Sequence, residues 1–212
     1  MFAMKQPIQV ARRLIHRQKV ILLAGLLGLS LAPLGVIQEF ARAKESQTQT
    51  VASALDWSGA SFPVEGFLEY TSGFGYRASG FHYGLDLAAP KGSYIRNWWA
   101  GKVVEVWEDG RCGTGIAIES GRWTHIYCHV QGRVAKDNLG RYFIDRDGGL
   151  HLREGQMVAA GTRIARVGMT GRTTGPHLHW GLKYDGRWVD PGRVLLAMYN
   201  QQSRQLSQRS SR

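Results

Sequence analysis

The chain has only two cysteines and six prolines in 212 residues. Two thiols, Cys112 and Cys128, allow one disulfide or none, which excludes a small fold stapled by several bridges. Long amphipathic helices are also missing before Pro191, and that excludes a helical bundle. Acidic residues are scarce at both ends. Residues 1–43 carry six basic side chains and one acid, and residues 201–212 carry Arg204, Arg209 and Arg212 with no acid. What remains, 44–200, holds eighteen basic and fifteen acidic residues, so the net charge of +11 belongs mostly to the termini. A nearly balanced middle is poor ground for nucleic-acid binding, and no nucleic-acid partner is expected. With 43% hydrophobic and 20% charged residues the composition is that of one globular domain with appendages.

Met1 to Lys19 is a basic leader containing Arg12, Arg13, Arg17 and Lys19, and an apolar run from Val20 to Ile37 follows it. This reads as an export signal ending at Ala41-Arg42-Ala43, a small-residue cleavage pattern. The run is also about the minimum length to span a bilayer, so an uncleaved inner-membrane anchor is the alternative, against which Pro33 argues. Either form leaves the remainder exported, periplasmic or wall-associated. The expected organisation is a signal peptide or anchor over 1–43, a polar linker over 44–56, a domain over 57–200 and a basic flexible tail over 201–212.

Within the domain, Lys102–Trp107, Gly115–Glu119, Trp123–His129, Arg163–Val167 and Leu178–Tyr184 read as strands, and Asp190-Pro191-Gly192 opens a short helix to Asn200. Many short strands with Gly turns predict a mainly β, antiparallel domain with few helices outside the leader. Lys136–Leu150 reads as an inserted hairpin. Its Asp145-Arg146-Asp147-Gly148 is a turn, since the further acidic ligands of a calcium loop are absent.

Three short stretches concentrate histidine. In Gly175-Pro176-His177-Leu178-His179-Trp180, period-two alternation puts His177 and His179 on one strand face. Phe81-His82-Tyr83-Gly84-Leu85-Asp86 supplies a His and an Asp four apart, with Gly84 between them. In Thr124-His125-Ile126-Tyr127-Cys128-His129 the same alternation puts His125, Tyr127 and His129 on one face. Two histidines and an aspartate suffice for a catalytic zinc, which leaves one coordination position for water.

Together the stretches resemble the lysostaphin/LytM-type zinc metalloendopeptidases, which cut peptidoglycan peptides. The resemblance spans about residues 64–190. It includes Ser72-Gly73-Phe74-Gly75-Tyr76-Arg77, the His-x-Gly-x-Asp segment running on to Ala89-Pro90-x-Gly92, Tyr127-x-His129, and Glu154-Gly155-Gln156-x-Val158. It ends with Gly161 and Gly168-x-Thr170-Gly171-Arg172-x-Thr174-Gly175-Pro176-His177-Leu178-His179. It implies an antiparallel barrel-sandwich-like β domain, one Zn²⁺ held by His82, Asp86 and His179, a peptidoglycan peptide as substrate, and catalytic roles for His177 and His129. On that implication zinc activates the water, His177 acts as general base and His129 steadies the oxyanion, although the two roles are interchangeable at this level. The alternative is a non-catalytic module of the same fold that binds the wall or activates another hydrolase. His125 is treated as flanking; His151 and His16 match nothing.

Three departures from the family pattern stand out. Gly181 occupies a position that is usually acidic, the Lys136–Leu150 connection is long, and Asn97-Trp98-Trp99 replaces small residues. The three aromatic-rich positions fit buried packing or the lining of a groove. Cys112 and Cys128 flank the candidate hairpin Gly113–Tyr127, where a bond requires Cα atoms within about 7 Å.

Overall fold

The structure is a computed structural model that describes residues 55–78 and 80–210. The expected leader and nearly all of the expected linker lie outside the described residues. Among those described, no helix is long and apolar enough to cross a membrane.

In chain order the strands are β1 (Glu69–Ser72), β2 (Gly75–Arg77), β3 (Gly80–His82), β4 (Leu85–Ala88), β5 (Tyr94–Arg96), β6 (Gly101–Asp109), β7 (Gly113–Ser120) and β8 (Trp123–Cys128). They continue as β9 (Val130–Gln131), β10 (Arg133–Asp137), β11 (Gly140–Asp145), β12 (Leu150–Arg153), β13 (Met157–Val158), β14 (Arg163–Val167), β15 (His177–Tyr184) and β16 (Arg187–Val189), before helix α1 (Pro191–Ser210). The main sheet runs β1-β4-β15-β8-β7-β6-β13, with β16 also on β15; smaller sheets are β10-β11-β12, β5-β14-β9 and β2-β3. The strand pairings are antiparallel. The fold is thus the mainly antiparallel β class that the short alternating runs predict.

The strand expected over Trp123–His129 stops one residue early, because His129 adopts φ 61° and leaves the ladder. That corrects the expectation of three residues on one face. His125 and Tyr127 do share the buried face, whereas His129 turns away from it.

Alternation divides β15 into two surfaces. Leu178, Trp180 and Leu182 are fully buried, and His177 and His179 lie on the other side, partly buried. The buried side meets an aromatic cluster in which the Trp98 ring lies 5.3–5.5 Å from those of Trp57, Trp99, Trp123 and Trp180. Asn97-Trp98-Trp99 is therefore core packing. Edge-on pairs of this kind add about 0.5–1.5 kcal/mol each beyond the area they bury.

Helix α1 is capped by Asp190, whose carboxylate accepts from Gly192 N at 2.8 Å, and Pro191 opens the first turn because it lacks an N–H that would need a partner. Val194, Leu195 and Met198 form its buried face. The helix does not end at Asn200, and residues 201–210, expected as a flexible tail, continue it. No Gly or Pro interrupts that stretch, and Gln202 Nε2 donates to the carbonyls of Trp57 at 2.9 Å and Ala60 at 3.0 Å. The Lys136–Leu150 segment falls in the β10-β11-β12 sheet, which buries Phe143 and Leu152 and pairs Asp145 with Arg166 through two 2.7 Å bonds.

Cys112 and Cys128 form a disulfide, with Cα atoms 4.9 Å apart. A loop of this size contributes about 3 kcal/mol by constraining the unfolded chain.

His125 is fully buried between Ser120 Oγ and Tyr127 Oη, each 2.8 Å from a ring nitrogen. Burial depresses its imidazole from 6.5 to about 3. Below pH 6.5 the unfolded chain takes up a proton that the folded chain refuses. Stability should fall by up to about 1.4 kcal/mol per pH unit until roughly pH 3. Denaturant midpoints compared at about pH 7.5 and 5 should therefore drop further for wild type than for His125→Gln; equal drops would remove His125 as the cause.

Candidate metal centre

The pairing of β4 with β15 sets Asp86 opposite His179 and Ala88 opposite His177. Residues directly opposite in an antiparallel pair project to the same face. Asp86, His177 and His179 thus share the side away from buried Leu85, Leu87, Leu178 and Trp180. His82 enters from the end of β3. Gly84, in the connection to β4, is buried against the His179 ring: a Cβ there would lie 2.5 Å from Cε1 and 2.6 Å from Nε2. Only glycine permits that approach.

The resulting atoms converge. Asp86 Oδ1 is 2.8 Å from His179 Nδ1, 3.1 Å from His82 Nε2 and 3.6 Å from His177 Nε2, and the two imidazole nitrogens nearest it are 2.9 Å apart. His82, Asp86 and His179 offer one ligand atom each, all within 4.8 Å of one another. Arg77 Nη2 donates to the other carboxylate oxygen, Oδ2, at 3.2 Å. Burial opposes ionisation of Asp86, but the hydrogen bonds and charge of His179 and His82 outweigh it and hold the carboxyl far below the ordinary carboxylate range. Burial also lowers His179 against the raising influence of Asp86.

Backbone carbonyls orient three of the rings. His82 Nδ1 is 2.7 Å from Gly73 O, His177 Nδ1 is 2.9 Å from Gly175 O, and His129 Nδ1 is 2.9 Å from Thr170 O. A carbonyl only accepts, so Nδ1 carries the proton in each neutral ring and Nε2 keeps its lone pair. This leaves His82 Nε2 available as a ligand, and His177 and His129 Nε2 available as proton acceptors. Two nitrogens and a carboxylate oxygen, with their orientation fixed from behind, fit a zinc ion that has an open position.

His129 reaches this face through its left-handed backbone, a conformation that costs a non-glycine residue about 1–2 kcal/mol. Its ring centroid lies 4.8 Å from that of His177 and 6.0 Å from that of His179. Burial lowers its pKa, and the neighbouring His177 and His179 add to this against the Thr170 carbonyl.

All five residues singled out from sequence, His82, Asp86, His129, His177 and His179, therefore meet. His125 does not join them, and His151 stacks on Tyr142 instead, with centroids 4.8 Å apart. Gly181 has a packing reason: a Cβ would lie 2.9 Å from the Trp188 ring and 3.2 Å from Tyr83 O. Arg77 was not singled out, although its place in the Ser72–Arg77 motif was a signal. Thr173, whose hydroxyl lies 3.2 Å from His177 Nδ1, left none.

Against known proteins, the family model described as Peptidase family M23 matches residues 80–191. Peptidoglycan DD-endopeptidase ShyB of Vibrio cholerae is 32% identical over 110 residues, which is 51% of this chain and 22% of that protein. DD-carboxypeptidase/endopeptidase Mpg of Neisseria meningitidis is 29% identical over 137 residues, 61% of this chain and 28% of that protein. The matched region spans about a quarter of the length of these relatives. Lysostaphin from Staphylococcus simulans shares the fold, with a TM-score of 0.50 at 24% identity over 62% of this chain and 50% of that one.

The Gly84 contact carries its own test. Gly84→Ala should displace the His179 ring and weaken zinc binding about 10- to 100-fold in a chelator-competition titration, with the circular dichroism of wild type retained. An unchanged titration would show that the close approach has no part in holding the ligand.

Proposed function

The chain belongs to peptidase family M23, and on that premise we propose that it is an exported zinc-dependent endopeptidase that hydrolyses peptide bonds in peptidoglycan cross-links. The observation that carries this reading is the convergence of His82, Asp86 and His179 beside two imidazoles whose Nδ1 atoms face backbone carbonyls, which turns Nε2 toward the site. A binding-only module has no need of that complete set. The peptidoglycan-directed names of ShyB and of Mpg support the substrate class.

Zinc, when held by His82 Nε2, Asp86 Oδ1 and His179 Nδ1, supplies Lewis acidity toward the scissile carbonyl and toward water. The chain's own residues do the rest. Asp86 brings the negative charge that favours a divalent cation, and Arg77 restrains its second oxygen. His177 takes the proton of the attacking water on Nε2 while its Nδ1–H stays bonded to Gly175 O, then passes that proton to the leaving amine. His129 is assigned to the negative charge that develops on the carbonyl oxygen. For that it carries a proton on Nε2 as well as Nδ1, taken up from solvent as negative charge develops beside it and against the burial that lowers its pKa.

The test uses purified peptidoglycan and zinc analysis together. Wild type should bind zinc and release new peptide ends, and His179→Ala should lose both. His177→Ala should keep its zinc and lose activity by about 10²- to 10⁴-fold. A wild type with neither zinc nor released ends would overturn the enzyme reading, and equal zinc loss in both variants would overturn the division between the two histidines.

A further inference from the structure

We infer that the Cys112–Cys128 disulfide is a positioning device for His129, locking the ring that faces His177 through the strand end that carries it. The inference rests on the catalytic reading of His129 given above. His129 directly follows Cys128, and continuation of β8 would place its side chain on the buried face with Tyr127. The chain instead turns left-handed at His129 and resumes as β9 on β14. A non-glycine residue keeps that conformation only where its surroundings over-determine it.

The surroundings are built on one turn. Residues 109–113, between β6 and β7, are organised by Asp109, whose Oδ1 accepts from Arg111 N at 2.7 Å and Cys112 N at 2.6 Å. Cys112 then grips the His129 peptide twice, covalently through Cys128 and by its carbonyl, which accepts from His129 N at 2.8 Å. The His129 carbonyl accepts from Gly168 N at 3.0 Å, and its ring Nδ1–H donates to Thr170 O. The 168–172 segment is itself fastened to the same turn. Arg172 N donates to Arg111 O at 3.0 Å, Thr114 N donates to Thr170 Oγ1 at 2.9 Å, and a Cβ on Gly113 or Gly171 would come within 2.2 Å of the facing backbone. Carbonyl, ring acceptor and strand end therefore share one anchor, and the disulfide is its covalent joint. The zinc ligands come from β3, β4 and β15; His179 lies opposite Cys128 in the β15–β8 register, a position that the strand pairing holds whether or not the bridge is closed.

A disulfide that merely closed a loop would lower stability and leave turnover alone. The two roles separate in a Cys112→Ala/Cys128→Ala variant assayed on a soluble cross-linked muropeptide below its unfolding transition. Positioning predicts wild-type zinc content, KM within about twofold and kcat lowered about 100-fold. In zinc-free protein, ¹⁵N–¹H spectra of the imidazoles should show His129 protonated at Nδ1 in wild type and averaging between tautomers in the variant. This readout needs no activity, so it stands apart from the enzyme reading: a wild type that cleaves nothing sinks that reading and leaves the tautomer result to judge the disulfide. If the variant does not fold, folded wild type is reduced by a phosphine, the phosphine and water giving phosphine oxide and two thiols, and the same spectra are recorded before and after reoxidation. An unchanged His129 tautomer, or a kcat within about twofold of wild type, overturns the inference.

Discussion

The opposition of Asp86 and His179 across the β4–β15 pair is the constraint on which the rest of the molecule turns. A slip of one residue would move every side chain of β15 to the other face, burying the two histidines and exposing Leu178 and Trp180. The register is therefore held by Leu85 and Leu87 on one strand and Leu178, Trp180 and Leu182 on the other, all fully buried. Core packing and site assembly are a single choice here. Gly84 belongs to the same choice, since it lets the chain from β3 pass tightly enough over His179 to deliver His82.

Behind that face the aromatic cluster around Trp98 gives the sheet a rigid back, and in front of it the backbone orients the polar rings. Carbonyls of Gly73, Thr170 and Gly175 each fix a ring proton and so leave a lone pair aimed inward. Such carbonyls hold well because they belong to turns that are themselves braced, as the turn at 109–113 and the 168–172 segment brace each other. The result is a set of acceptors whose directions are settled before any ligand arrives, which is how a site avoids reorganisation during reaction.

Legibility followed the range of the interactions involved. The strands over 102–107, 115–119, 163–167 and 178–184 were readable because alternation is a local property, and all lie within observed strands. The end of α1 was not: residues 201–210 lack apolar periodicity, and what keeps them helical includes hydrogen bonds from Gln202 to residues more than 140 positions away. Alternation put His125 and His129 on one strand face, yet one is a buried core histidine and the other turns into the site.

By itself the sequence determined the β class, the shared face of His177 and His179, and, through motif order, the company of His82, Asp86 and His129. The first two follow from side-chain periodicity, and the third from the resemblance of the motifs, in their order, to the lysostaphin/LytM-type family. The tertiary structure alone decided that Cys112 bonds Cys128, that His129 turns out of its strand, that Arg77 holds the second oxygen of Asp86, and that Gly181 gives way to Trp188. Those outcomes depend on through-space distances between segments far apart in the chain, and such distances exist only once the sheet has closed.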